Sequence, residues 1–410
     1  MAIQDLLSYA QKDFRKKYGK TSELEIEFAD EIEPVTGLVV DNPLLEYVLD
    51  RRFLPYGRCY LIYGKKGCSK TSLFLYLAKL FQQSGGDVIW IETEKAADLD
   101  YAAKQGVDLS RLVMPKVDTL QEALTTAEAM IKNLPKAYPN GDTPVLIGLD
   151  SIAGAIPEYE TQDSITVGET KVGEHARLMS GFYRRIIHPL AHEKAIFVAL
   201  NQLKTAIGGM KFGAEEPEAM IGGEAPRFHS TYQWKMYRVA DLTKKNNGGV
   251  DRKVGSKHSI TCKRNKLGRE GNTQKIEFDL YIDGGPDFWG PLVKVIADNY
   301  THLATKRGGY YYWKVPDVEY DELVETVDNE TGEVVQVVEK KIVDTEKAFR
   351  ERDLAIIFQN STQIKEMIRK EFGIPDLPPE DKIKEAEAHH KKKRVRMKDE
   401  DADNEVQVEL

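Results

Sequence analysis

The sequence predicts an α/β fold: a mainly parallel central sheet flanked by helices, with an N-terminal helix before it and a small α+β domain after it. Two observations carry that prediction. Short apolar runs, Tyr60–Tyr63, Val88–Glu92, Val145–Leu149 and Ala195–Leu200, alternate with stretches of helical periodicity such as Leu120–Leu134 and Gly173–Glu193. Short buried strands separated by helices imply a parallel sheet covered on both faces. The second observation is Gly64-Lys65-Lys66-Gly67-Cys68-Ser69-Lys70-Thr71, set between the apolar run Cys59–Tyr63 and the helix-like run Ser72–Ala78. Strand, glycine loop, Lys-Thr and helix, in that order, are the context of a phosphate-binding loop.

Taken in chain order, residues 1–19 place Ile3, Leu6, Leu7, Ala10, Phe14 and Tyr18 at helical spacing, with Lys and Arg opposite. This is a short amphipathic helix that must dock on something. Residues 20–35 are polar and acidic and complete an N-terminal unit, 1–35, as a linker. The core runs from 36 to 300. After Gly222 its texture changes to antiparallel strands, Thr231–Val239, His258–Lys263 and Lys275–Ile282, with Asn246-Asn247-Gly248-Gly249 as a turn between the first two. Residues 301–373 form the small C-terminal domain. Tyr310–Trp313 and a turn at Asp328–Gly332 make its β element, and Thr345–Phe372 reads as one helix. Residues 374–410 are Pro-rich and then charged, basic over 389–398 and acidic after it, which is the composition of a disordered tail.

Composition narrows the function classes. The chain has 410 residues, 41% hydrophobic and 30% charged, with ample apolar content for a full core. A formal charge of −8 argues against a plain nucleic-acid binder, although the acidic C-terminal end supplies part of it. Cys59, Cys68 and Cys262 have neither metal-site nor disulfide spacing. There is no signal-peptide pattern, and no apolar run approaches the roughly 18 residues of a membrane span, so a soluble cytoplasmic protein is expected.

The chemistry-bearing residues end successive strands. In the glycine loop, backbone N–H groups and the helix N-terminus would face phosphate, Lys70 would reach the β- and γ-phosphates, and Thr71 would hold Mg²⁺. Ser69 stands where the usual pattern has glycine, so a Cβ approaches the bound phosphate. Trp90-Ile91-Glu92-Thr93-Glu94 follows, and carboxylates at the carboxyl end of a parallel strand face the ligand crevice. Glu94 is positioned to polarise an attacking water. Val145–Asp150 is an apolar strand ending in a carboxylate, which places Asp150 near the metal. Phe197–Leu200 runs into Asn201-Gln202, and Gln202 would contact the γ-phosphate or the water. The glycine-bearing loop that follows is a candidate lever to a second ligand.

The order of these segments resembles the RecA-type homologous recombinases, most closely the phage UvsX-type branch, over about residues 30–300. Glu94–Asp98 with Tyr101, Asp118-Thr119, Asp150–Ala153, His175–Ser180, Asn201-Gln202, Gly222-Gly223 and Lys263–Lys266 each resemble a family segment, and they occur in the family's order. The resemblance implies a RecA-type core that hydrolyses ATP with Mg²⁺ and forms helical filaments on single-stranded DNA to pair it with homologous double-stranded DNA. It makes Glu94 the catalytic base, with Lys70 and Gln202 beside it, and adds Asp98 and Tyr101 at the adenine to the Gly64–Ser72 loop. Arg264 and Lys266 would act on the neighbouring protomer's ATP, and helix 1–19 would dock on that neighbour. Loops 157–172 and 203–221, with flanking residues, would hold DNA through Lys171, Val172, Gly173, Arg177, Lys204, Gly208, Gly209, Lys211, Phe212, Gly222 and Gly223. Glu158, Glu160, Glu215 and Glu216 depart from a DNA-binding pattern in those loops. Single-strand-binding and mediator proteins are implied partners, and a bacterial or phage-infected cell is the implied setting. A ring helicase of the same fold, or a regulatory ATPase without strand exchange, remains an alternative.

Overall fold

The computed structural model describes residues 2–19, 24, 34–161, 173–205, 218–245, 249, 251–268, 273–327, 334–385 and 388. Helix α1 (Ala2–Tyr18) comes first, then strand β1 (Gly37–Val39), α2 (Pro43–Leu49), β2 (Phe53–Pro55) and β3 (Arg58–Gly64). The chain alternates through α3 (Lys70–Gln83), β4 (Asp87–Glu92), α4 (Leu99–Lys104), β5 (Leu112–Val113), α5 (Leu120–Ala137), β6 (Val145–Asp150), α6 (Glu174–Ala191) and β7 (Ala195–Thr205). Next are β8 (Glu218–Met220), α7 (Ala225–His229), β9 (Tyr232–Lys245), β10 (Asp251–Asn265), β11 (Lys275–Tyr281) and β12 (Gly285–Asp287). The C-terminal part holds α8 (Trp289–Asn299), β13 (Ala304–Arg307), β14 (Tyr310–Trp313), β15 (Glu319–Val327), β16 (Val334–Ile342), α9 (Glu351–Asn360) and α10 (Thr362–Phe372).

The predicted sheet is present. Its strand order is β12-β11-β10-β9-β3-β7-β6-β4-β5, with β8 attached to β7. From β9 to β5 every pairing is parallel, and from β9 to β12 every pairing is antiparallel. The alternation of strand residues explains why both faces are covered. In β3, Tyr60 and Ile62 join the apolar cluster under α2, α3 and α8, whereas Cys59, Leu61 and Tyr63 join the cluster under α5 and α6. β7 divides in the same way, with Ile196, Val198 and Leu200 on the first face and Phe197 and Ala199 on the second. Gly148 of β6 lets α3 come close, since a Cβ there would lie 2.2 Å from the Phe74 ring.

Helix starts follow local chemistry. Thr119 and Glu122 form a reciprocal capping box at α5, and Asn42 accepts from Leu44 and Leu45 N–H at α2. One expectation is corrected: Thr345–Phe372 is not a single helix. Ser361 has extended backbone, φ −115 and ψ 111, and its hydroxyl accepts from Ile364 N–H to begin α10 anew. Upstream, Phe349 is bridged to Tyr311 instead of entering a helix.

The C-terminal elements share the apolar cluster of α2 and α3 through Trp313, Phe349, Leu354, Phe358, Ile364 and Ile368. A buried ion pair adds to this packing, with Arg369 of α10 donating to both carboxylate oxygens of Glu46 on α2. Most of the expected tail lies outside the described residues. Of its first residues, Ile374 is buried and Asp376 pairs with Arg52. The turn residues Asn246–Gly248 and Asp328–Gly332 also lie outside the described residues, though the hairpins they would close, β9–β10 and β15–β16, are paired. No described helix is long and apolar enough to cross a membrane.

Candidate functional site

The carboxyl ends of β3, β4, β6 and β7 meet at one edge of the sheet, and a cavity of about 350 Å³ opens there. Lys70, Thr71, Glu94, Asp98, Tyr101, Asp150 and Gln202 all line it. Four strands thus bring together residues 132 positions apart in sequence, from Lys70 to Gln202.

The loop from Gly64 wraps into α3, whose N-terminus faces the cavity. Ser69 has left-handed backbone, φ 64 and ψ 38, and makes no capping bond, so the first-turn N–H groups of α3 are not capped by its side chain. Lys70 is buried, and its Nζ finds long contacts, 3.4 Å to Gly64 O, 3.3 Å to Lys65 O and 3.9 Å to Cys68 Sγ. Among the described residues it has no carboxylate partner, which is the condition of a cation that awaits an anion.

Thr71 Oγ1 donates to Asp150 Oδ2 at 2.8 Å. Burial pushes Asp150 up to about 6 against the Thr71 hydrogen bond, and the carboxylates of Glu94 and Glu92 add to the rise. Asp150 is only 7% exposed, so its anionic form needs a compensating positive charge. A hydroxyl and a buried carboxylate at 2.8 Å, beside an unpaired lysine, fit a divalent cation with a polyphosphate.

Glu94 is held by two donors on one oxygen. Ser151 Oγ donates to its Oε1 at 2.7 Å and Gln202 Nε2 donates to the same oxygen at 3.0 Å. Oε2 makes no hydrogen bond among the described residues. Asp98 caps α4 by accepting from Tyr101 N–H at 2.9 Å, and the Tyr101 hydroxyl lies 2.9 Å from Ser72 Oγ. These contacts fix two further lining residues of the cavity.

Other predicted residues lie elsewhere. Arg264 and Lys266, at the end of β10, are exposed and do not line the cavity. Lys266 donates to Phe228 O at 2.5 Å, and burial together with Arg264 lowers its pKa. Gly173 begins α6, Arg177 follows it and pairs with Glu174, and Lys204 is exposed on β7. Gly222 and Gly223 have φ of 85 and 69, and a Cβ on Gly223 would lie 2.7 Å from Ala176. Lys171, Val172, Gly208, Gly209, Lys211 and Phe212 lie outside the described residues. The ends of that second segment are nevertheless joined, since Leu203 of β7 pairs with Met220 of β8.

Sequence reasoning did not single out Ser151, Glu92 or Leu75, which also serve the site. Leu75 lies one helical turn beyond Thr71, a usable signal. Glu92 accepts from Glu94 N–H at 2.8 Å and so shapes the turn after β4.

The family model described as RecA N-terminal domain matches residues 5–285. A protein named RecA from Kineococcus radiotolerans is 30% identical over 298 residues, covering 72% of this chain and 78% of that one. Protein RecA of Mycobacterium marinum is 29% identical over 343 residues, covering 82% and 91%. Protein RecA of Geobacter metallireducens is 28% identical over 306 residues, covering 74% and 84%.

Proposed function

The chain belongs to the RecA family, and on that premise we propose which residues carry the family's chemistry. It is a RecA-type recombinase, a DNA-dependent ATPase that uses ATP with Mg²⁺. Membership in the family implies binding of single- and double-stranded DNA and assembly into filaments.

The observation that carries the assignment is the meeting at one cavity of the Thr71–Asp150 pair with Glu94, which Ser151 and Gln202 hold through two hydrogen bonds. Gly64–Ser72 would hold the phosphates, with Lys70 supplying a positive charge that has no carboxylate partner among the described residues. Thr71 and Asp150 would hold Mg²⁺, which when bound offsets charge on the phosphates. Asp98 and Tyr101, which also line the cavity, would hold the base. Glu94 takes the proton of the attacking water through its second oxygen, while Ser151 and Gln202 fix its orientation. Gln202 sits on β7, which continues to Thr205, so the expected loop 203–221 begins and ends as paired strand and its remaining residues follow Thr205. A ligand that reorders this loop therefore acts on the Gln202–Glu94 contact, and DNA stimulates hydrolysis by that route.

Arg264 and Lys266, exposed and off their own cavity, would serve the site of an adjacent protomer. The exposed Ile3, Leu6 and Tyr9 of α1 suit docking on that protomer, and Gly173, Arg177, Lys204, Gly222 and Gly223 would border the DNA-holding loops. We place the chain in the phage UvsX-type branch on Ser69 and the β15–β16 hairpin, working in the cytoplasm of a bacterial or phage-infected cell with single-strand-binding and mediator proteins.

The test joins two variants, turnover with and without DNA, and microscopy. Lys70→Ala loses nucleotide binding. Glu94→Gln keeps binding and filaments but loses turnover by about 10²–10⁴-fold, the share of a general base. Retained turnover in Glu94→Gln removes Glu94 from this role. Equal turnover with and without single-stranded DNA sinks the Gln202 route. Negative-stain images with ATP and DNA should show helical filaments; closed rings, or no assembly, would favour a helicase or a regulatory ATPase.

A further inference from the structure

Ser69 occupies a backbone conformation that normally belongs to glycine, and its hydroxyl is turned away from the helix it precedes. A serine at a helix start ordinarily accepts from the second or third N–H of that helix. Here Ser69 Oγ instead lies 3.2 Å from Nε2 of His258, a residue 189 positions later on β10. The same nitrogen lies 2.8 Å from Ser256 Oγ. His258 is fully buried, opposite Arg238 on β9 and Phe278 on β11, and its ring stacks on Phe278 at 5.6 Å. Burial, and then Arg238, lowers the ring to about 4, so it is a neutral hydrogen-bonding group near pH 7.

We infer that His258 is a positioning residue for the nucleotide site: by holding the Ser69 hydroxyl it keeps the residue before Lys70 in its left-handed turn. This rests on reading Gly64–Thr71 as the phosphate loop. Two consequences make the contact more than packing. With the hydroxyl on His258, the first N–H groups of α3 remain available to phosphate. The same strand ends at Asn265, between Arg264 and Lys266, so β10 ties the phosphate loop of one site to the residues proposed to reach the next.

The test is a double-mutant cycle read as affinity for a fluorescent ATP analogue with Mg²⁺, with the melting temperature recorded for each chain. His258→Phe, which keeps a ring on Phe278, should weaken binding about tenfold, the factor that about 1.4 kcal/mol represents. Ser69→Ala, which keeps the Cβ and loses the hydroxyl, should weaken it equally. In the Ser69→Gly background His258→Phe should cost at most about twofold more, because glycine holds φ 64 without a tether. An equal cost of His258→Phe in both backgrounds would make His258 a packing residue and overturn the inference, as would Ser69→Ala binding like the parent. If His258→Phe does not fold, Ser69→Ala against Ser69→Gly decides, and Ala binding as well as Gly refutes it. Lys70→Ala is run alongside. Binding that survives there defeats the phosphate-loop reading itself, whereas lost binding there without coupling defeats only the role of His258.

Discussion

Replacing Arg369 with methionine should loosen the C-terminal elements from the core by about 4 kcal/mol at pH 7. The side chain of Glu46 is 0% exposed and both its oxygens accept from Arg369, at 2.7 and 2.5 Å. Burial already pushes the Glu46 carboxyl up, and Arg369 is the main influence that pulls it down. Arg369 in turn stays firmly charged: burial opposes its charge, but Glu46, Asp41 and Glu366 outweigh that. Without the guanidinium, only the weaker pull of Arg52 opposes the burial of Glu46, and the carboxyl takes up a proton instead. Protonating a carboxyl of ordinary pKa about 4.3 at pH 7 costs about 4 kcal/mol, at about 1.4 kcal/mol per unit. That agrees with the roughly 3–5 kcal/mol typical of a broken buried pair. The sign with pH follows. A carboxyl whose folded pKa is raised destabilises the fold above its unfolded pKa, and that deficit vanishes as pH falls toward about 4.3. Urea unfolding should therefore show a deficit of about 4 kcal/mol at pH 7 that shrinks to about 1 kcal/mol at pH 5. Pairing Glu46→Met with Arg369→Met should recover most of the loss, since two apolar residues leave no charge unpaired. A deficit under about 1 kcal/mol at pH 7, or one unchanged at pH 5, would refute the reasoning.

Other expectations follow from single contacts. Gly148→Ala puts a Cβ 2.2 Å from Phe74, which should cost roughly 1–3 kcal/mol of stability and, by displacing α3, weaken nucleotide binding. Unchanged thermal unfolding would show that α3 yields at no cost. The lowered pKa of His258 means that the unfolded chain binds a proton the folded chain refuses between about 6.5 and 4. Its stability contribution is complete above pH 6.5 and falls with pH by up to about 1.4 kcal/mol per unit. Unfolding measured from pH 7 to 5 should be flatter in His258→Phe than in the parent, and parallel curves would contradict this. Ser361→Ala removes the cap that starts α10 and should cost about 1 kcal/mol by urea unfolding; no change would place the start of α10 under packing control.

Much of the fold was legible because its signals are local. The strands β3, β4, β6 and β7 and the helices α5 and α6 appear within a few residues of where their apolar spacing put them. The glycine loop needed no tertiary information, since strand, loop and helix are consecutive. The break at Ser361 was missed because Ile357, Phe358, Ile364 and Ile368 keep an apolar spacing across it, and a serine with a free hydroxyl is a cap only if the backbone extends there. Asp98 lines the cavity as its place after β4 suggested, and one of its carboxylate oxygens also caps α4, a second role visible only from the position of Tyr101 N–H.

What the sequence determined by itself was the chemistry on offer: a phosphate loop, a carboxylate after one strand, another at the end of a second and an amide after a third. Periodicity and spacing encode these directly. The tertiary structure decided which of them touch. Strand order set β7 between β3 and β6, which put Gln202 within 3.0 Å of Glu94, and Ser151 within 2.7 Å of the same oxygen. It also decided how a serine could stand where glycine is expected. The tether is His258, from a strand two places away in the sheet, and no local pattern could announce it because the two residues meet only when β9 and β10 pack beside β3.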